Sequence, residues 1–499
     1  MNIKELLIQQ ASNFPQKPAI IFEGKEISFS SLKDASFKLA NYFTSKGVKK
    51  PDKIALFSSN TPEAIYCYMA VYSIGATLIP LDFMLTENEI INFLNHSEAK
   101  VLIMQPKKDI NLENIRENCY SLKEIIILKE SLPKNPYFGD ILQEQTSEPP
   151  LASSQEEDLS SIFYTSGSTG HPKGVMLGYS HLNNPVDTIN HFLSVSENDI
   201  YLTGGIPFSH VGGLNYILLM LRFASTIILM ERFHPLEFLK NLEKYKITIF
   251  CIVPSMYVAI LSLKEYERFN LSFLRYAVVF GAPSSPMLLK KFHNACQKAV
   301  LLNGWGMTET AAPNTFSPPD ESKISSIGKF GFKMEAKIIN EEGGTLFYGE
   351  KGELLVKGAG VMKGYYKEPT LSSDSFYGEG WLRTGDIAYL GNDGLLYLAG
   401  RKKDMIKVAG EIVFSSEVEE KMYLHPQVAE VAVIGVADEM RGEVPKAFIV
   451  AKEGQIIDTN EVKTFLKPHL ARFKIPHHFE VVTQLPKNRV GKIDKQALK

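Results

Sequence analysis

Short apolar runs rich in β-branched residues alternate with helical patterns through the first part of the chain, and this alternation limits the fold more than any other feature. KIALFSS, TLIPLD, KVLIMQ and EIIILK read as strands, and AIYCYMAVYSIG and NEIINFLNHS read as helices between them. Strands joined through helices run largely parallel and are covered on both faces, so the pattern predicts α/β layers. It lapses in the turn-rich connection QEQTSEPPLASSQEEDLSS and resumes with KITIFCIV, RYAVVFG and AVLLNGW. From Ile327 to Leu398 the texture changes to short strands with many glycines, as in KGELLVKG and GLLYLAG, which predicts a β-rich subdomain. Beyond Arg401 the pattern changes again. Ser416 with Glu419 has the spacing of a capping box, VAEVAVIGV reads as a strand, and Asp458 with Glu461 can open a further helix ending near Pro468.

A chain of 499 residues is too long for one ordinary core. The expected organisation is α/β throughout. A large N-terminal domain over 1–400 holds layered α/β subdomains plus the β-rich one. The charged connector GRKKD places a hinge at 401–404, and a small α+β C-terminal domain occupies 405–499. The composition is that of an ordinary soluble protein, 44% apolar and 22% charged, and the net charge of -2 gives no reason to expect nucleic acid or an anionic membrane as partner. The four cysteines, Cys67, Cys119, Cys251 and Cys296, are scattered without a C-x-x-C pair, so neither a zinc site nor a disulfide framework is signalled. The N-terminal stretch reads as an amphipathic helix with Ile3, Leu6, Leu7 and Ala11 on one face, not as a signal peptide. The most apolar segment, Val211 to Met230, is interrupted by Gly212, Gly213, Asn215 and Arg222. It reads as a buried helix followed by the strand STIILM. A cytoplasmic protein without an integral membrane segment is expected.

The stretch IFYTSGSTGHPKGV, from Ile162 to Val175, carries the chemistry. An apolar strand gives way to Thr165, Ser166, Gly167, Ser168, Thr169 and Gly170, small residues whose backbone N–H groups and hydroxyls can converge on an anion. Lys173 then adds a point charge for a polyphosphate. Neither glycine stands at Walker A spacing from a Lys-Ser or Lys-Thr pair, and no G-x-S-x-G elbow is present. A bare TSGSTG is as often a surface turn as a phosphate loop. The attached Pro172, Lys173 and Gly174 tip the balance.

YTSGSTGHPKGV resembles the phosphate-loop signature of the adenylate-forming superfamily, which comprises acyl-CoA synthetases, nonribosomal peptide adenylation domains and firefly-type luciferases. The resemblance continues in order through GWGMTET at 304–310, GELLVKG with GYY at 352–366, WLRTGDIAYL at 381–390, GRKKDMIKVAGEIV at 400–413 and LPKNRVGKIDK at 485–495. It spans nearly the whole chain. It implies ATP, Mg²⁺ and coenzyme A as cofactor and cosubstrates, a small-molecule carboxylic acid as substrate, and a mobile C-terminal domain.

Residue by residue, the resemblance implies a nucleotide site built from the loop at 165–170 and Lys173, from Gly281, Ala282 and Pro283, and from Gly304, Trp305, Gly306 and Met307. An aromatic residue between glycines can lie flat against a purine, although most relatives carry Tyr where Trp305 stands. Thr308 can bond a phosphate oxygen, and Glu309 is a hard ligand suited to Mg²⁺. Asp386 is expected to accept the ribose hydroxyls, with Arg401 beside ribose or phosphate. Lys492 is the principal catalytic candidate, since an ammonium touching both the attacking carboxylate and the α-phosphate offsets their repulsion. A solvated basic tail is its competing explanation, because Lys487, Arg489, Lys495 and Lys499 lie close by. His210 stands where acyl-CoA synthetases carry a gating residue, although a lone histidine is more often structural. Rotation about Lys403 is implied to withdraw Lys492 and present the Gly410 loop to a thiol. FSSEVEE departs from the family there, where relatives have Pro before the acidic helix.

The expected activity is conversion of a carboxylic acid, first a medium- or long-chain fatty acid and second an aryl acid, to its acyl-adenylate and then to the CoA thioester. Three other readings stay open on sequence alone. One is a stand-alone adenylation enzyme loading the phosphopantetheine of an acyl carrier protein. Another is a nucleotide-binding regulator, against which stand the retained Lys173, Glu309, Asp386 and Lys492. The third is a luciferase-like oxygenase, which nothing specific favours. Oligomeric state is not readable from these features.

Overall fold

The computed structural model describes residues 2–129, 131–165, 173–281, 286–296, 298–331, 333–487 and 492–499. Two parallel-cored sheets dominate the N-terminal part. A six-stranded sheet runs in the order Glu124–Ile127, Val101–Met104, Lys53–Phe57, Thr77–Leu81, Leu159–Thr165 and Lys173–Gly178, antiparallel only at the last pair. A nine-stranded sheet places Val300–Trp305, Tyr276–Val279, Ile249–Ile252, Ile200–Leu202, Thr226–Leu229 and Pro18–Phe22 side by side in parallel. Antiparallel strands close both of its edges. The central strands are buried along almost their whole length, as parallel strands covered on both faces must be.

The helices between strands supply that cover. Pro62–Ser73 buries every residue except Glu63, with Thr61 capping its first turn. Val211–Phe223 is apolar nearly all round and buries ten of its residues, so the most hydrophobic stretch of the chain is an interior helix. One core draws side chains from both sheets, from these two helices and from Ile3–Asn13 and Phe29–Ser45. No helix among the described residues is long and apolar enough to cross a membrane.

An antiparallel five-stranded sheet follows, with Met334–Ile339, Gly352–Gly358, Trp381–Leu390, Phe376–Tyr377 and Leu396–Arg401. After a short helical turn at Lys402–Asp404, a last five-stranded sheet is built from Met405–Val408, Glu411–Phe414, Val428–Asp438, Gly442–Ala451 and His478–Val481. It has its own core around Val433, Ile449, Val462 and Leu466. The capping box expected of Ser416 and Glu419 does not form. The helix begins at Ser415 with Phe414 as N-cap and no side-chain cap. The Ser416 hydroxyl donates to the Ala399 carbonyl at 2.5 Å, and the Glu419 carboxylate accepts from the Val433 N–H and from Lys495. Tertiary partners have taken both groups from the local motif. Asp458 does cap its helix, accepting from the Asn460 N–H.

Candidate active site

Ligand sites in open α/β sheets lie beyond the carboxyl ends of the strands, and the chemistry-bearing residues sit there. The Leu159–Thr165 and Lys173–Gly178 strands form an antiparallel pair in which Thr165 stands opposite Lys173. The loop they flank, Ser166 to Gly170, lies outside the described residues, as do Ala282 and Pro283. On its other side the Lys173–Gly178 strand is held by the GYY segment. Tyr366 N–H donates to the Gly174 carbonyl at 2.7 Å, and Met176 N–H donates to the Gly364 carbonyl at 3.0 Å.

That pairing points Tyr365 at the two expected ionic groups. Its hydroxyl donates to Glu309 Oε1 at 3.1 Å, and the Lys173 ammonium lies 5.4 Å from its ring centroid, within cation–π range. Tyr365 was not among the site residues expected from sequence. Its one signal there was the GYY of the family motif, in which a tyrosine reads equally well as a strand aromatic. Burial pushes the Glu309 carboxyl above the ordinary carboxylate range, against the pull of Tyr365, Arg401 and Lys173. A carboxylate so desolvated is set to gain from a cation. Among the described residues no cluster of three or more potential metal ligands exists. A single hard carboxylate fits Mg²⁺ carried mainly by phosphate oxygens rather than by a protein cage.

Asp386 owes its position to a bulge. Between the pairs Leu355–Arg383 and Glu353–Ile387 the Trp381–Leu390 strand carries extra residues, with Gly385 at φ +69°. The Thr384 hydroxyl donates to the Leu354 carbonyl at 2.7 Å and accepts from the Asp386 N–H at 3.0 Å. The RTGD sequence thus turns the Asp386 carboxylate inward, where it is 4% exposed. Arg401, paired with it across the strands, donates from Nε to Oδ1 at 2.8 Å. Trp305, at the end of its parallel strand, donates from Nε1 to Oδ2, also at 2.8 Å. The indole edge is therefore committed to the carboxylate expected to meet ribose, and Phe330 packs edge-on against it at 5.6 Å. Gly304 and Gly306 bring the backbone close to neighbours: an added Cβ would lie 2.8 Å from Phe280 and 2.6 Å from Ala312, respectively. Met307 N–H donates to Thr310 Oγ1, and Thr308 opens a short helical turn that delivers Glu309.

Lys492 reaches this cluster from the last sheet's domain. A Cβ built on Gly281, which has φ +91°, would lie 3.3 Å from Lys492 Cε and 3.6 Å from its Nζ. Burial and the Arg401 charge push the Lys492 ammonium down to about 8, with Asp386 pulling the other way. Lys173, Glu309, Trp305, Asp386, Arg401 and Lys492 are thus linked by contact or by charge around one centre. His210 lies at the seam between the two large sheets, as N-cap of the Val211–Phe223 helix, with Nε2 3.5 Å from Asp82 Oδ2. The loop before it is clamped by Asn60, which donates to the Ile206 carbonyl and accepts from the Phe208 N–H.

Comparison with known proteins shows the family. The family model described as AMP-binding enzyme matches residues 7–366, and that for the AMP-binding enzyme C-terminal domain matches 417–492. The chain is 31% identical to a long-chain-fatty-acid–CoA ligase of Bacillus subtilis (strain 168), over 99% of this chain and 94% of that protein. It is 30% identical to a crotonobetaine/carnitine–CoA ligase of Salmonella paratyphi B (strain ATCC BAA-1250 / SPB7), over 100% of this chain and 99% of the other. The crystal structure of an anthranilate CoA ligase in complex with anthranoyl-AMP matches with a TM-score of 0.93 at 27% identity, covering 100% of this chain and 96% of that one.

Proposed function

Since this chain belongs to the AMP-binding enzyme family and is an AMP-forming acid–CoA ligase, we propose that it activates a medium- or long-chain fatty acid, with Lys492 as the catalytic residue of the first half-reaction. The observation that carries the site assignment is the convergence of Lys492 from the C-terminal domain on Gly281, Arg401 and Asp386.

In the first step a carboxylate oxygen of the acid bonds to the α-phosphorus of ATP and pyrophosphate leaves. Thr165, the loop at 166–170 and Lys173 hold the β- and γ-phosphates, Thr308 bonds a phosphate oxygen, and Asp386 accepts the ribose hydroxyls. Gly281 to Pro283 and Gly304 to Met307 line the nucleotide. Lys492 lies between the two approaching anions as an ammonium and needs to move no proton. Glu309 would hold Mg²⁺ together with phosphate oxygens, and the ion when bound neutralises polyphosphate charge. In the second step the CoA thiol attacks the acyl carbon and AMP leaves. For this step the C-terminal domain turns about 401–404, Lys492 withdraws, and the loop at Gly410, with φ +89°, faces the thiol. His210 is assigned to the acyl side of the site.

The fatty-acid assignment draws support from the end-to-end likeness to the Bacillus subtilis ligase and from the apolar helix that His210 caps. An aryl acid is the second reading, favoured by the 0.93 match to the anthranilate enzyme. Pyrophosphate release over a panel of fatty, aryl and betaine-type acids, with and without CoA, separates the two. Turnover of decanoate or palmitate at least tenfold above benzoate and anthranilate is expected; the reverse order overturns the fatty-acid assignment.

A further inference from the structure

Within the basic C-terminal tail that competes with Lys492 for a functional reading, Lys487 and Lys495 are both held in ion pairs. Lys487 donates to Glu430 Oε1 at 2.6 Å, tying the chain before Lys492 to the Val428–Asp438 strand. Lys495 lies 2.7 Å from Glu419 Oε1 and donates to Ser415 Oγ at 2.8 Å, tying the chain after Lys492 to the Ser415–Met422 helix. Between these ties Lys487 pairs antiparallel with Ile493, and the Asp494 N–H donates to the Pro486 carbonyl at 2.8 Å. Ile493 and Leu498 rest on a small core of Ala432, Ile434, Phe448 and Leu485. Lys487 and the chain from Ile493 onward are thus held side by side and bolted to the same domain.

The Lys495 tie is the more specialised of the two. Lys495 and Glu419 are both half-buried, and Glu419 also accepts from the Val433 N–H at 2.7 Å. Ser415 opens its helix, and its hydroxyl oxygen stands where it can accept from the Lys495 ammonium. A flexible lysine within the reach of two fixed acceptors on one helix has few other positions to occupy. Lys492 stands three residues before it, and a shift of its ammonium by an ångström decides whether it meets the reacting oxygens.

We propose that Lys495, braced by Glu419 and Ser415, is a positioning residue for Lys492 in the adenylation step. This rests on the assignment of Lys492 as the catalytic residue. The brace also joins the Lys492 segment to the helix that follows the Gly410 loop, so both move as one body when the domain turns.

The test uses the full-length protein and reads the two half-reactions separately: pyrophosphate release with ATP and acid, and thiolysis of a supplied acyl-adenylate by CoA. Lys495→Met keeps the length of the stem and removes the charge. It is expected to slow pyrophosphate release about 10- to 100-fold while thiolysis stays within about twofold, and Lys495→Arg is expected to restore most of the loss. Glu419→Gln, nearly the same shape, is expected to give the same split and guards against a folding defect in the lysine variant. Equal loss of both half-reactions, or no loss in either variant, overturns the brace. Lys492→Ala serves as the control. Should it leave pyrophosphate release intact, the assignment of Lys492 fails; a crippled Lys492→Ala beside a normal Lys495→Met overturns the brace alone.

Discussion

The Lys492 ammonium is the group on which pH should act most directly. Its value falls from 10.5 to about 8, chiefly through burial and secondarily through the Arg401 charge. That fall corresponds to roughly 3 kcal/mol set against the charged form in the free enzyme. The second-order constant for ATP in the adenylation step reports the free enzyme, so it should be flat near pH 7 and decline about tenfold per pH unit above pH 8. Neither the acid's carboxylate nor the polyphosphate titrates in that range. At saturating ATP and acid two anions flank the ammonium, and the break should move upward. The assay is pyrophosphate release without CoA, which keeps the thiol's own titration out of the profile.

The same shift has a stability sign that can be read independently. A lysine whose folded value lies below its unfolded one binds protons more weakly when folded. Its charge therefore costs stability in full below about pH 8, and the cost disappears as pH rises toward 10.5. Lys492→Met should raise stability at pH 7 by about 1–3 kcal/mol, discounted for residual solvent contact, and the gain should vanish near pH 10.5. A second-order constant that stays flat to about pH 9.5, or a Lys492→Met protein that melts earlier than wild type at pH 7, would refute the reasoning.

Three further substitutions probe the rest of the site. Trp305→Phe removes the donor 2.8 Å from Asp386 Oδ2 and should cost about 1.5–3 kcal/mol, a 10- to 100-fold drop in kcat/KM for ATP with less discrimination against 2′-deoxy-ATP. An unchanged ATP constant and unchanged discrimination would leave the indole a packing residue only. Tyr365→Phe should raise the Mg²⁺ concentration for half-maximal rate by about 3- to 10-fold, as should Mn²⁺ binding followed by electron paramagnetic resonance in the presence of ATP. Equal metal affinity in the two proteins would count against the Tyr365–Glu309 bond. Gly281→Ala places a Cβ at φ +91° and 3.3 Å from Lys492 Cε, so a strain of about 1–2 kcal/mol and a displaced ammonium should slow adenylation more than thiolysis. Equal slowing of both steps would show that Gly281 matters only to the fold.

What was legible in the sequence follows from how local each feature is. The strands at Lys53–Phe57, Thr77–Leu81, Val101–Met104 and Glu124–Ile127, and the interior helix at Val211–Phe223, declare themselves by apolar runs that nothing distant can override. Asp386 was legible for a similar reason, since Thr384 and Gly385 build the bulge that aims it. Features closed over long separations were not. The indole donor of Trp305 and its acceptor are 81 residues apart, and Tyr365 meets Glu309 across 56. No motif spacing encodes either bond. The Ser416–Glu419 capping box shows the same limit from the other side. Its spacing is right, but Lys495 and the Val433 N–H offer the carboxylate a charged and an already aligned donor, which outweigh a frayed helix start. That failure is informative about function. A helix gives up its own cap only where its side chains are held by something else, and here the competing partner is the segment bearing Lys492. The departure from local rules thus falls on one short stretch, at the point where the Ser415–Met422 helix is tied through Lys495 to the chain that follows Lys492.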